Sequence, residues 1–329
     1  MNEAKITVLM PVYNGESYLG TAIESILKQT YKGYEFLIID DASTDSSLEI
    51  IKSYKDARIR LIHNAINVGL NKNLNIGLAA AQGEYIARMD QDDISYPERL
   101  SKQFLYLEQN PDVGVCGTAV KILDKKGKKP NLVFPAENNL IRWSFCFYNT
   151  IAHPTVMMRK KIIYQVKGYS VLDRAQYAED YDLWSRLLPI TKFHNLKEPL
   201  LTLRKHDSNM TVLNLEINLN NAGLVNRRIL EYFLKHKISL DLISKLKTKN
   251  EIYFDQINST IFELTKIFKT GEDLTPREKK IIISEAARRL LYLFFINLKN
   301  RHGWKFLKMA LKIDPLLLIH NSLYLLNRQ

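Results

Sequence analysis

Glu84-Tyr85-Ile86-Ala87-Arg88-Met89-Asp90-Gln91-Asp92-Asp93 is the stretch on which the reading of this chain turns. It sets three aspartates and a glutamate against one arginine, in a protein of 329 residues with a formal net charge of +12. Such a knot of carboxylates is repulsive unless a cation sits on it. Tyr85, Ile86, Ala87 and Met89 predict a short buried strand. Side chains two apart on a strand share a face, so Asp90 and Asp92 point the same way at its end. Paired carboxylates of this kind suit a hard divalent cation.

The segments upstream supply the context. Ile6-Thr7-Val8-Leu9-Met10 is β-prone and nearly all apolar, the pattern of a central parallel strand covered on both faces. It runs into Pro11-Val12-Tyr13-Asn14-Gly15, after which Leu19, Ile23, Ile26 and Leu27 recur at helical spacing. Phe36-Leu37-Ile38-Ile39 is a second buried strand leading into Asp40-Asp41-Ala42-Ser43-Thr44-Asp45. A helix over Ser46 to Lys55, a strand Ile59-Arg60-Leu61-Ile62 and a helix opened by Asn67-Val68-Gly69-Leu70 follow, and the acidic stretch comes as the fourth strand. This alternation predicts an α/β fold, a Rossmann-like, mostly parallel sheet flanked by helices. Ligands in such sheets collect at the carboxyl ends of the strands.

Composition bounds the rest. The length suits two domains, and 46% apolar with 25% charged residues is ordinary globular composition. Cys116 and Cys146 lie in apolar surroundings and match no metal-ligand spacing, so free buried thiols and a reducing cytoplasm are expected. The polar start Met1-Asn2-Glu3-Ala4-Lys5, with Pro11 breaking the apolar run behind it, argues against a secretory signal. The late apolar run Leu290 to Ile296 falls far short of the about 20 residues that span a bilayer. Residues 212–329 hold 20 Lys+Arg against 11 Asp+Glu and so carry +9 of the +12. A basic surface of this kind attracts phosphate-rich partners.

Four segments in succession, Met10-Pro11-Val12-Tyr13-Asn14, Ile39 to Asp45, Asn67-Val68-Gly69-Leu70 and Met89 to Asp93, resemble the signatures of the family 2 glycosyltransferases. The resemblance covers roughly residues 5 to 211. It implies the A-type nucleotide-sugar-binding fold for residues 1–211, followed by a basic, mainly helical region over 212–329. It also implies an inverting, metal-dependent transfer of a sugar from a nucleoside diphosphate, UDP by family habit, to a hydroxyl of a saccharide or lipid-linked acceptor in surface polysaccharide synthesis.

Carried over residue by residue, the resemblance gives Pro11, Tyr13 and Asn14 to the base and ribose pocket. It gives Asp41 or its neighbour to the uracil or ribose, with Asp45 read as a helix cap. Asp90 would touch the ribose or a metal-bound water, and Asp92 would hold Mn2+ or Mg2+. Asp93 would support them. Asp180, in Ala178-Glu179-Asp180-Tyr181-Asp182-Leu183-Trp184, matches the catalytic base, its pKa raised by Glu179, Asp182 and partial burial, with Trp184 as the wall behind it. On the acceptor or diphosphate side the resemblance places His153 and Glu179, and in the basic segment Arg204 to Thr211 it makes His206 a further metal ligand and Arg204 or Lys205 a counter-charge to the leaving group.

The aromatic run Trp143, Phe145, Phe147 and Tyr148 reads either as an acceptor border or as core. Beyond Val212 the resemblance fades. Trp304, Leu307 and Leu311 form an apolar stripe beside Lys305, Lys308 and Lys312, which fits a helix lying on an anionic membrane surface and equally a self-packed bundle. A peripheral cytoplasmic protein is therefore expected. Two other classes share some of these features. A nucleotidyltransferase acting on sugar phosphates also uses metal-binding aspartates, but its glycine-rich phosphate loop is missing near the first strand. A nucleic-acid-binding protein would share the charge, but the basic tail has neither zinc-ligand spacing nor an RNA-binding motif, so no nucleic acid is expected.

Overall fold

A computed structural model describes residues 5–124, 127–128, 130–206, 209, 213–245, 254–270, 273–296 and 303–315. The first half follows the alternation of the sequence: β1 (Ile6–Val12), α1 (Glu16–Leu27), β2 (Tyr34–Asp40), α2 (Ser47–Ser53), β3 (Ile59–His63), α3 (Leu70–Ala80) and β4 (Tyr85–Arg88). Every residue of β1, β2 and β4 is buried, as unbroken apolar runs require of strands covered on both faces. These strands are parallel and lie in the order β3-β2-β1-β4. The chain thus builds outward from β1 to one side and then returns to its other side. That reversal leaves a crevice between the carboxyl ends of β1 and β4, where an open α/β sheet binds its ligand.

Pro11 sits inside β1 without harm to the ladder. The β1–β4 register ends at Leu9 and Arg88, so the N–H that proline lacks falls beyond the last β4 partner.

The second half turns the sheet mixed. Here the chain forms β5 (Ile94–Ser95), α4 (Arg99–Gln109), β6 (Val113–Asp124), β7 (Gly127–Lys128), α5 (Asn138–Phe145), β8 (Met157–Arg159), α6 (Lys160–Gln165), α7 (Glu179–Leu187) and β9 (Lys192–Arg204). The full order is β3-β2-β1-β4-β8-β6-β9-β5, with β7 paired to β6. β8 runs antiparallel to both β4 and β6, and β5 antiparallel to β9, while β6 and β9 are parallel. Lys125, Lys126 and Lys129 lie outside the described residues.

Where β4 and β8 diverge, α4 supplies polar side chains from below. Arg99, fully buried, donates from Nη2 to the Arg88 and Val156 carbonyls at 2.6 and 3.3 Å. Gln103 donates to the Cys116 and Thr155 carbonyls at 2.5 and 2.8 Å. Carbonyls at this junction of the sheet thereby gain buried side-chain donors, the Val156 carbonyl in addition to the Arg88 N–H it already accepts at 2.9 Å. Burial, then the neighbouring Arg88, lowers the Arg99 guanidinium to about 9.

The chain divides into two compact units, one of residues 1–141 and 149–222, the other of 142–148 and 223–329. The first unit thus runs on into the helix Leu215–Leu234, and a short aromatic segment groups with the second. Side-chain hydrogen bonds explain the first feature. Asn218 bonds the Tyr177 carbonyl, and Asn221 donates to the Asp173 and Gln176 carbonyls at 3.0 and 2.9 Å, holding the start of the helix Leu215–Leu234 to the first unit. Packing explains the second. Trp143 and Phe145 are fully buried, Trp143 lies edge-on to Phe147 and Phe268, and the Phe145 carbonyl accepts from Asn226.

The second unit is helical, with Phe254–Thr270, Pro276–Ile296 and Gly303–Ile313 among its elements. A reciprocal box between Thr275 and Glu278, ahead of Pro276 at the first helical position, starts the second of these. In Gly303–Ile313 the buried line runs through Phe306 and Ala310, while Trp304 is 61% exposed. The helix therefore packs on a face rotated from the Trp304 stripe expected of it. Among the described residues no helix is long and apolar enough to cross a membrane. Cys116 and Cys146 are buried and unbridged, and burial raises both thiols, Cys116 to about 12.

Candidate active site

Three loops meet at the crevice beside β1. After β1, Asn14 adopts a positive φ of 49°, which asparagine tolerates, and its Oδ1 accepts from the Thr44 N–H at 2.8 Å. Its own N–H donates to Ser43 Oγ at 3.1 Å. Asp45 accepts from the backbone N–H groups of Glu16 and Ser47 at 3.0 Å each, and Glu16 accepts from the Ser46 N–H at 3.0 Å. One carboxylate thus serves the starts of α1 and α2 together, where helix dipoles favour negative charge. Tyr13, at 46% exposure, presents its ring outward from this braced loop, whereas Pro11 is buried.

At the end of β2 the two aspartates part. Asp41 is buried, and its carboxylate accepts from Asn64 Nδ2 and from the Val68 and Gly69 N–H groups at 2.7, 3.0 and 3.0 Å. Its oxygens shape the Asn67–Gly69 turn, in which Gly69 takes a φ of 84° that requires glycine. Asp40 Oδ2 meets His63 Nδ1 at 2.7 Å, and its buried Oδ1 has no hydrogen-bond partner among the described residues.

Past β4, Asp90, Asp92 and Asp93 bring carboxylate oxygens within 4.8 Å of one another. Asp93 is buried and pushed well above the usual carboxylate range by burial, then by Asp90 and Asp92. Asp92 is raised by burial and by Asp90, against the pull of His206. Asp92 Oδ2 meets His206 Nε2 at 2.8 Å and accepts from Asn209 at 3.1 Å. Carboxylate oxygens with one imidazole fit Mg2+ or Mn2+.

The partners arrive through β9. β5 follows Asp93 directly and pairs Ile94 with Thr202, so Arg204 reaches the acidic loop, its N–H donating to Asp93 Oδ1 and its Nε to the Asp92 carbonyl, both at 2.9 Å. The Arg204 guanidinium lies 4.5 Å over the Tyr18 ring, and Tyr18 and His206 have ring centroids 5.0 Å apart.

Gln91, between the two leading aspartates, was unassigned from the sequence. Its Oε1 accepts from the Tyr13 N–H at 2.8 Å and its Nε2 donates to the Tyr13 carbonyl at 3.0 Å, which ties the β1 loop to the acidic loop. A Cβ on Gly15 would lie 2.7 Å from the Gln91 amide, so this closure needs glycine there.

The second acidic cluster opens α7. Glu179 and Asp180 are both raised, Glu179 to about 7 by burial and by Asp180, and Asp180 to about 6 by burial. Asp180 is held back from a higher value by the Tyr181 N–H at 2.6 Å, by Asn149 Nδ2 at 2.7 Å and by the Arg88 charge. Asp182, expected to push the pair upward, instead meets Arg186 Nε at 2.9 Å. Beneath the pair, His153 Nε2 meets the Tyr169 hydroxyl at 2.8 Å, with Nδ1 3.8 Å from Glu179. Burial and then Arg88 drive the His153 pKa far down, so this ring is neutral. Trp184 is fully buried, edge-on to His153 and Phe193. His153 and Trp184 therefore pack behind the carboxylates from the core side.

Arg88 joins the clusters. It is 3% exposed, ion-paired with Asp90, and close enough to stabilise the ionised forms of both Glu179 and Asp180. The signal for it was its position two residues before Asp90 on the strand, which puts both side chains on one face. Asn149 gave no such sign, because 31 residues separate it from Asp180.

The signature of glycosyl transferase family 2 matches residues 7–166. EpsE of Bacillus subtilis is 37% identical over 227 residues, which cover 67% of this chain and 80% of EpsE. The Escherichia coli O-antigen biosynthesis glycosyltransferase WbnJ is 36% identical over 211 residues, 61% of this chain and 80% of WbnJ. Among solved structures, S. aureus TarS with UDP-GlcNAc superposes with a TM-score of 0.58 over 95% of this chain and 91% of that one, at 17% identity. The Pyrobaculum calidifontis mannosyltransferase PcManGT with GDP-Man and Mn2+ gives a TM-score of 0.50 at 14% identity, over 97% and 88% of the two chains. The two structures share the fold, and the two sequence relatives share descent: the crevice, the acidic loop and the buried carboxylate pair belong to a glycosyltransferase, a member of glycosyl transferase family 2.

Proposed function

We propose that this enzyme is an inverting transferase that moves a sugar from a nucleoside diphosphate, UDP before others, to a hydroxyl of a saccharide or lipid-linked acceptor during surface polysaccharide assembly. The observation that carries it is the division of acid groups: an exposed-edged cluster suited to a cation at Asp90–Asp93, and a separate pair at Glu179–Asp180 with raised proton affinity. O-antigen biosynthesis by WbnJ and the UDP-GlcNAc and GDP-Man bound by the fold neighbours support the substrate classes. Family membership also displaces the nucleotidyltransferase and nucleic-acid-binding readings.

In this mechanism the base of the nucleotide enters the crevice beside Tyr13, and Asp40 at the end of β2, whose buried Oδ1 is unpartnered among the described residues, is the acceptor for a base or ribose hydrogen. The observed engagement of Asp41 with the 64–69 loop favours Asp40 as the contact and Asp41 as its support. Mn2+ or Mg2+ held by Asp92 and His206, with Asp90 beside it, would supply positive charge to the departing diphosphate. Arg204 stands at the same edge as a counter-charge.

Asp180 takes the acceptor hydroxyl proton as its oxygen attacks the anomeric carbon. A value of about 6 keeps it ionised at neutral pH while making it a stronger base than an ordinary aspartate. Asn149 and the Tyr181 N–H orient its oxygens, and a single displacement inverts the configuration.

Thermal stabilisation by UDP-, GDP- and dTDP-sugars, with and without Mn2+ or Mg2+, tests the donor and the cation. Asp92→Ala is expected to lose the cation-dependent part of the shift, and Asp180→Asn to keep the shift while turnover falls by about 10²- to 10⁴-fold. Equal shifts with and without cation in wild type and Asp92→Ala would remove the cation from this account. A peripheral location at the cytoplasmic membrane face, through the basic helical unit, is part of the proposal, and failure of the full chain to float with anionic liposomes would end it.

A further inference from the structure

The helical unit contains a cavity of about 630 Å3 whose walls all belong to that unit. Its size lies in the range of small-molecule sites, roughly 300–1,000 Å3. Ile243, Ile261 and Leu293 give it apolar walls, and Phe147 and Tyr148 an aromatic end. It reaches the surface at Tyr292, which is 61% exposed.

The charged groups lie along one helix, Pro276–Ile296, which presents Glu285, Arg288 and Arg289 to the cavity, while Asn226, also in the lining, donates to the Phe145 carbonyl at 3.2 Å. Glu285 is engaged, its Oε2 accepting the Trp143 indole N–H at 3.1 Å. Arg288 donates from Nε to the Ser284 carbonyl at 3.2 Å. Arg289 is different. Its guanidinium lies 3.8 Å over the Phe147 ring and 5.2 Å from the Tyr148 ring centroid, so its face is taken up by aromatic contact. Its buried Nε has no hydrogen-bond partner among the described residues. A buried donor without an acceptor is unfavourable, and a guanidinium stacked by its face offers its edge as a planar fork for a carboxylate or phosphate.

We infer that this cavity binds an anionic amphiphile, a molecule with one carboxylate or phosphate head that meets the edge of Arg289 and a hydrocarbon body that lies along Ile243, Ile261 and Leu293. Two arginines against one glutamate set the sign of the head, and the apolar walls set the nature of the body. No residue lining it belongs to the acidic clusters.

Titration calorimetry of the full chain, with probes kept below their micellar concentrations, tests this. The probes are dodecanoate and dodecyl phosphate for the two possible heads, dodecanol for the body alone and dodecyltrimethylammonium for the opposite charge. At least one anionic probe is expected to bind at one site per chain and more than tenfold tighter than dodecanol, with the cationic probe weaker still. Arg289→Met should weaken the anionic probe about tenfold or more, and Leu293→Trp, which fills the body of the cavity, should abolish binding of all probes. Should Arg289→Met fail to fold, Arg289→Lys retains the charge without the planar fork and should weaken the same probe. Absence of binding by either anion, equal binding of anionic and cationic probes, or anion binding untouched by the Arg289 and Leu293 substitutions would each overturn the inference. Donor-induced stabilisation measured on the same variants should be unchanged, which separates this outcome from failure of the transferase mechanism.

Discussion

Asn149→Ala probes the proposed base through a residue that need not touch either substrate. Asn149 Nδ2 donates to Asp180 Oδ2 at 2.7 Å, a bond that favours the ionised carboxylate. Hydrogen bonds to charged groups contribute about 1.5–3 kcal/mol, and one pKa unit corresponds to about 1.4 kcal/mol, so its loss should raise the Asp180 pKa by about 1–2 units. Starting from about 6, this carries the base into the neutral range. Turnover at pH 7 should then fall by roughly two- to tenfold, while wild type and variant converge above about pH 9.

The assay is kcat at saturating donor and acceptor across roughly pH 5 to 9, with donor Kd and melting temperature followed in parallel. The parallel measurements matter because Asn149 Oδ1 also accepts the Ile151 N–H at 3.1 Å and so braces its own loop. An unchanged kinetic pKa in a variant that melts normally would show that Asp180 is not the titrating base. A loss of equal size at every pH would show that Asn149 acts on something other than its ionisation.

Glu179→Gln should act on stability. The folded protein holds the Glu179 proton up to about pH 7, whereas the unfolded chain releases it near the ordinary 4.5. The stabilisation from that proton is therefore complete below the lower value and lost as pH rises through the upper one. The glutamine variant should melt higher than wild type at about pH 8 and equally at about pH 4, and the reverse order in scanning calorimetry would contradict the burial argument. Gln91→Ala removes both hydrogen bonds to Tyr13, together about 1–3 kcal/mol, and should weaken donor binding about tenfold with the fold intact. Calorimetric donor affinity equal to wild type would refute that clamp. Gly77→Ala sets helix propensity, a gain of about 1 kcal/mol, against overpacking of Leu9 and Ile39, typically about 1–3 kcal/mol. A Cβ there would come within 2.7 Å of Ile39 Cδ1, so a lower denaturant midpoint is expected and a higher one would reverse the ranking.

Much of the first unit is legible because its elements are local. The apolar runs of β1, β2 and β4 are buried throughout, and the acidic loops lie at their carboxyl ends, since a strand covered on both faces must be apolar and its polar residues must wait for its end. The antiparallel pairing of β8 and the pairing of β5 with β9 are not legible, because two or three residues of strand carry too little pattern to announce a partner far along the chain. The same limit applies to the site. Asp90, Asp92 and Asp180 stand out in their own segments, whereas Asn149, Gln91 and Arg88 have ordinary side chains that matter only through what the fold sets beside them.

The sequence by itself determined the order of strands and helices through β4, the positions of the two acidic clusters and the family, because these reside in local periodicity and contiguous motifs. Only the tertiary structure decided that Arg204 and His206 meet Asp93 and Asp92 at hydrogen-bond distance, that Asp41 is spent on a turn while the buried Asp40 Oδ1 is left unpartnered among the described residues, and that His153 and Trp184 lie behind the Glu179–Asp180 pair. A hydrogen bond or a buried charge is defined by distance and solvent access, and both are set by strand pairing between residues far apart in the chain.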